Sequence, residues 1–173
     1  MNKQLIFVVE TSKKDKSDWM YIKETINHYY LVPNTIKLNT VCMNGKTNYA
    51  STTVRNNIKK LVNQYKPVGN SNVFYCIDLD DWKNNIQQHN LNQDIVRYCI
   101  DNNHDLIWFS RNIEEVYWNN ASVHSSDKTR MASKFITSNE IENINEYKLQ
   151  ILDRRYNSSN ILYVLDKSLD RKS

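Results

Sequence analysis

Glycine and proline are nearly missing from this chain, with two of each in 173 residues. Glycine-rich phosphate loops and dinucleotide-binding turns need bare backbone at several fixed positions, so that scarcity excludes both. The three cysteines, Cys42, Cys76 and Cys99, are odd in number, widely spaced and set among apolar residues. They read as reduced core thiols rather than a disulfide framework. His28, His89, His104 and His124 stand isolated, so neither zinc-ligand spacing nor a Ser-His-Asp ordering is present. No apolar run approaches the roughly 20 residues of a membrane span, and the run at residues 5–9 is too short for a signal peptide. The expectation is a cytoplasmic protein with no membrane partner. A formal charge of +4 favours polyanions only weakly.

What the chain does have is bulk: four Trp, eleven Tyr and four Phe, enough for one sizeable core in a chain of single-domain length. Short apolar runs alternate with helical patterns, the signature of a parallel sheet covered by helices on both faces. Strands are predicted at residues 4–9, 36–41, 73–77 and 106–109. Helices are predicted near residues 17–29 with Ser17 as cap, at 51–65 and at 92–102. From residue 113 onward the pattern is helical, with segments at 131–136, 144–152 and 161–169. One domain spanning 1–173 follows, with an α/β core over about 1–120 and a helical extension over about 121–173.

In open α/β sheets, loops and helix N-termini converge beyond the carboxyl ends of the strands, so acids at those ends carry most of the information. Glu10 directly follows the first apolar strand, and Asp78, Asp80 and Asp81 directly follow the third. If the strands are parallel, both groups share one edge. Crowded carboxylates repel one another, and a bound hard cation such as magnesium is the simplest means of keeping them ionised. Glutamate is a poor helix cap, which favours a chemical role for Glu10. Asp81 has two readings, a member of the cluster or the cap of a segment starting near Trp82.

An apolar strand ending in Glu10, then helix, strand, helix and a second apolar strand ending in Asp78-Leu79-Asp80, resembles the Toprim superfamily over roughly the first 110 residues. Phe74-Tyr75-Cys76-Ile77-Asp78-Leu79-Asp80-Asp81-Trp82 is most similar to the small RloB-like and OLD-nuclease-like Toprim proteins. Residues 107–118 resemble their later strand, which leads through a turn into a helix bearing a glutamate, here Glu114 or Glu115. The resemblance implies a Toprim-like, Rossmann-like sheet of about four mainly parallel strands. It also implies Mg2+- or Mn2+-dependent endonuclease chemistry on phosphodiester bonds of DNA or RNA, in a phage-defence setting. Thr11 replaces the glycine usual after the Toprim glutamate, and Arg111-Asn112 replaces the later Asn-Pro turn.

On this reading Glu10, Asp78, Asp80, Asp81 and Glu114 are candidate metal ligands, and Glu10, Asp78, Asp80 and Arg111 candidate catalytic residues. Glu10 would complete a metal shell or act as general acid/base. Arg111 would clamp a phosphate. Lys13, Lys14 and Lys16 would steer a nucleic acid to the pocket or simply solvate a loop. A rival expectation is a non-catalytic Toprim-like interaction module, and another is a receiver-like or flavodoxin-like domain using the aspartates for a different phosphate task. Without a phosphate-binding loop of its own, the chain would take a separately encoded ATPase or defence subunit as partner.

Overall fold

A computed structural model describes residues 2–118 and 123–172. Four strands, β1 (Lys3–Val9), β2 (Ile36–Cys42), β3 (Asn70–Asp78) and β4 (Asp105–Phe109), form one sheet in the order β2-β1-β3-β4. Every pairing is parallel, with Val9 level with Cys42 on one side and Cys76 on the other. The fold is therefore the α/β, Rossmann-like parallel sheet that the sequence pattern predicts. β1 and β3 are central, and their side chains are buried on both faces, which is why they read as continuous apolar runs.

Side-chain alternation divides the core into two layers. Leu5, Phe7, Val9, Phe74, Cys76 and Phe109 point to the face covered by α1 (Ser17–Tyr29), α4 (Ile113–Trp118), α5 (Lys128–Thr137) and α6 (Ile161–Leu165). Ile6, Val8, Tyr75, Ile77 and Trp108 point to the face covered by α2 (Thr52–Tyr65) and α3 (Ile86–Asp101). The chain leaves β1 toward β2 on one side, whereas β3 lies on the other. The topological switch point thus falls between the carboxyl ends of β1 and β3, where Rossmann-like sheets bind ligands.

Four local expectations change. Ser17 is not the cap of α1 but its first residue; its Oγ finds no partner, and Asp15 Oδ1 instead accepts from Ser17 N at 3.0 Å. α3 starts six residues earlier than predicted, because Asn85 Oδ1 accepts from Gln87 N and Gln88 N. Residues 144–152 form only a short 3-10 turn, Glu146–Leu149, and the terminal helix ends at Leu165. The residue just before that helix serves the sheet instead. Asn160 accepts from Trp108 N and donates to Leu106 O, both at 2.9 Å, covering the outer edge of β4.

The turn into β3 is tight at Gly69, where a Cβ would lie 2.0 Å from the carbonyl oxygen of Asn2. Backbone cannot give way there without shifting β1. Gly69→Ala is expected to destabilise the fold by roughly 1–3 kcal/mol in chemical denaturation, the usual range for overpacking; an unchanged midpoint would contradict this packing.

Candidate functional site

The carboxyl ends of β1 and β3 meet through a hydrogen bond: Glu10 Oε1 accepts from Asp78 N at 2.8 Å. Asp78 Oδ1 in turn accepts from Ile113 N, the first residue of α4, at 2.9 Å. Each carboxylate therefore spends one oxygen on backbone and keeps the other. Asp18, in the first turn of α1, accepts from Thr11 N at 3.1 Å through Oδ2 and is 6 % exposed. Glu114, 2 % exposed, holds Lys128 Nζ at 3.3 Å with Oε2, while its Oε1 is buried without a hydrogen-bond partner. Glu10, Asp18, Asp78 and Glu114 act on one another electrostatically at this one edge.

Desolvation and then crowding set the acidity of Glu10, Asp18 and Asp78. Burial pushes the Glu10 carboxyl up to about 8, against which the Lys46 charge and the Asp78 N–H pull down. Asp18 rises to about 6, first through burial and then through the Glu114 charge. Asp78 is held well above the usual carboxylate range by burial and then by Glu10, Asp18 and Glu114. Glu10, Asp18 and Asp78 are thus poised to carry protons near neutral pH unless positive charge is brought to them.

The remaining sequence candidates are used differently. Asp80 sits at φ +51° and accepts from Lys46 Nζ at 2.6 Å, while the same ammonium donates to Asp78 O at 2.6 Å. Asp80 N donates to Arg111 O at 2.7 Å, and Arg111, at φ +62°, turns its guanidinium to Glu115 at 3.4 Å. Arg111 thus shapes the turn beside the cluster and pairs away from it. Asp81 is exposed and closes a turn: its carbonyl accepts from Asn84 N and Asn85 N, and its Oδ1 from Asn84 Nδ2. It makes a turn and caps no helix, since α3 begins later on Asn85, and it is not among the acids that act on Glu10, Asp18 and Asp78. Glu115 forms a reciprocal cap with Asn112, donating its N–H at 2.8 Å and accepting from Nδ2 at 2.9 Å, which settles the facing question in favour of Glu114.

Three residues in the site escaped the sequence reading. Lys46 follows β2 at the same edge as the acids, a position legible in the sequence. Asp18 looked like an ordinary first-turn acid at a helix start. Lys128 arrives from a distant helix and carries no local signal.

Whether these residues suit a hard cation is tested by their atoms. The donors are all oxygens, and one of them, Glu114 Oε1, is buried without a partner. Buried polar atoms without partners are costly, and an ion with its water shell would serve them. Among the described residues no three acidic, histidine or cysteine side chains form a preassembled cage. Magnesium seldom uses one, since it keeps several waters and one or two carboxylates. The free oxygens of Asp78 and Glu114 are of the chemical type such an ion takes, without forming part of a set of three ligands.

Comparison with known proteins returns no matching family model, curated protein or solved structure. Among the described residues no helix is long and apolar enough to cross a membrane.

Because the carboxyls of Glu10 and Asp18 titrate higher folded than unfolded, the folded state binds more protons. The sign follows: their stabilising contribution is complete below about pH 4 and is lost as pH rises through about 6 and then 8. In chelator, stability is expected to decline from pH 5 to 8.5. Glu10→Gln should flatten that decline and raise stability at pH 8.5 by about 1–3 kcal/mol. A variant as pH-sensitive as the wild type would show that Glu10 is not desolvated.

Proposed function

We propose that the protein is a Mg2+- or Mn2+-dependent nuclease of Toprim type, hydrolysing phosphodiester bonds of a nucleic acid. The observation that carries this reading is the joining of Glu10 to Asp78 at the switch point of a Rossmann-like sheet, with Glu114 and Asp18 buried alongside. Structural carboxylates on a surface do not need this arrangement. Four acids massed at one desolvated edge of the sheet, balanced by Lys46 and Lys128, are unfavourable without a further positive partner.

A cation bound there would neutralise the phosphate and acidify a water. Asp78 and Glu114 would hold it, with the second oxygen of Asp78 and the unpartnered Oε1 of Glu114 as donors. Glu10, whose proton affinity lies near neutrality in the metal-free protein, would accept the proton of the attacking water as its oxygen bonds to phosphorus. The P–O bond to the departing sugar oxygen breaks, and that oxygen takes a proton from solvent or from the newly protonated Glu10. Lys46 fixes Asp78 and Asp80 from behind, and Lys128 offsets the charge of Glu114. Asp80 and Arg111 enter as residues that shape the Asp78 turn, and Asp81 as a turn residue.

One observation favours the non-catalytic reading: the carboxylate of Asp80, the second acid of the Asp-x-Asp pair, is already neutralised by Lys46 at 2.6 Å. Cleavage assays separate the two. Purified protein with manganese, supercoiled DNA, single-stranded DNA and bulk RNA is expected to cut at least one substrate. Asp78→Asn and Glu10→Gln should each lower the rate by roughly 100-fold or more, whereas Asp81→Asn should stay within about threefold of wild type. No cutting of any substrate, or equal cutting by Asp78→Asn, would contradict the proposal.

A further inference from the structure

Beside the acidic cluster, at the open edge of the sheet, lies a second feature of opposite charge. A cavity of about 520 Å³ opens where the ends of β1 and β2 meet α1 and α2, within the size range of small-ligand pockets. Lys13 and Lys16 enter it from the loop after Glu10, Lys60 enters from α2, and the ring of Trp19 forms one wall. No aspartate or glutamate lines it. None of the three ammonium groups is ion-paired among the described residues.

The helical wall is built by spacing. Asn57, Lys60, Leu61 and Gln64 recur at i, i+3, i+4 and i+7, so one stripe of α2 faces the cavity, beside the stripe of Val54, Ile58 and Tyr65 that enters the core. An amphipathic helix usually gives such a flanking stripe to bulk water. Here it supplies a cation and two amides, groups that donate to phosphate and pair with the polar edge of a base. Trp19 is only partly buried and tilted at 40° against Phe7, with ring centroids 5.4 Å apart, so the aromatic wall is braced from behind. The charges of Lys13 and Lys16 reach into the cavity, where they oppose the upward push that burial exerts on the Cys42 thiol.

Cationic groups, amides and a braced aromatic ring in one cavity are the elements that recognise an anionic aromatic molecule. Thr11, adjacent to Glu10 in the chain, lines the same cavity and donates its N–H to Asp18, so cavity and acidic cluster share a wall. We propose that this cavity holds one nucleotide of a single-stranded nucleic acid, its base against Trp19 and its phosphate among Lys13, Lys16 and Lys60, next to the phosphate presented to the carboxylates. The inference rests on the nuclease reading and gives it a substrate class: single strands, or unpaired stretches, rather than intact duplex.

Cys42 provides a readout independent of cleavage. It lines the cavity and is partly exposed, whereas Cys76 and Cys99 are buried. In chelator at pH 8.5, an oligothymidylate of about eight nucleotides is expected to slow iodoacetamide alkylation of Cys42, read by peptide mass spectrometry. Trp19→Leu, and separately Lys16→Ala combined with Lys60→Ala, should weaken that protection about tenfold, the loss of roughly one stacked base or its phosphate contacts. Asp81→Asn should protect as wild type does. The exposed lysine positions keep the test valid should Trp19→Leu fold poorly. Absence of protection, undiminished protection in the lysine variant, or equal protection by polyphosphate of matched charge would overturn the proposal. Protection in a wild type that cleaves nothing supports this cavity while removing the nuclease reading, and cleavage without protection does the reverse.

Discussion

Taking carboxylates out of water is the constraint around which this molecule is arranged. Glu10 and Asp78 lie at the ends of the two central strands, and the parallel register of β1 and β3 brings them side by side whatever their charge prefers. Backbone N–H groups of Asp78 and Ile113 absorb part of the cost, Lys46 and Lys128 absorb more, and the remaining imbalance appears as raised proton affinities. A sheet could have ended in serine or asparagine at those positions with far less strain on its stability. That the chain keeps four acids there is the physical reason for proposing a cation and a phosphate at this edge.

The surroundings share in this. α4 begins on the carboxylate of Asp78, and its own cap, Asn112 with Glu115, turns Glu114 inward. The positive φ values of Asp80 and Arg111 let the two turns after β3 and β4 pair back to back, so the loops carrying the site are tied to one another as well as to the sheet. On the other flank, the cationic cavity near Trp19 begins one residue beyond Glu10. Negative and positive regions therefore adjoin along the open side of the sheet, as a polyanion drawn toward a metal-bearing pocket would require.

Much of this was legible in the sequence, and for identifiable reasons. Strands buried on both faces must be continuously apolar, so residues 4–9 and 73–77 announced β1 and β3, and the acids after them announced the site. Helix boundaries were less legible. Ser17 has the composition of a cap but lies within the helix, while Asn85, an effective cap, stands ahead of the polar first turn of α3, where no apolar period marks the start. Lys128 was missed because ion pairing across a fold leaves no spacing to read, and Lys46 because only acids were sought at the strand ends. Asp81 was overcounted because adjacency in sequence is not adjacency in space: two residues past Leu79 the chain has already turned away to Asn84.

The central claim is that the carboxylates gathered beyond the ends of β1, β3 and β4 serve a single cation, held by Asp78 and Glu114 with Glu10 beside it. Paramagnetic broadening by manganese in amide-resolved NMR addresses it without any substrate. The account predicts that substoichiometric manganese first erases the amide signals of Thr11, Asp78 and Ile113 together, and that Asp78→Asn restores all three. Broadening that starts at exposed acids such as Asp94 or Asp153, with those three signals intact, would contradict it.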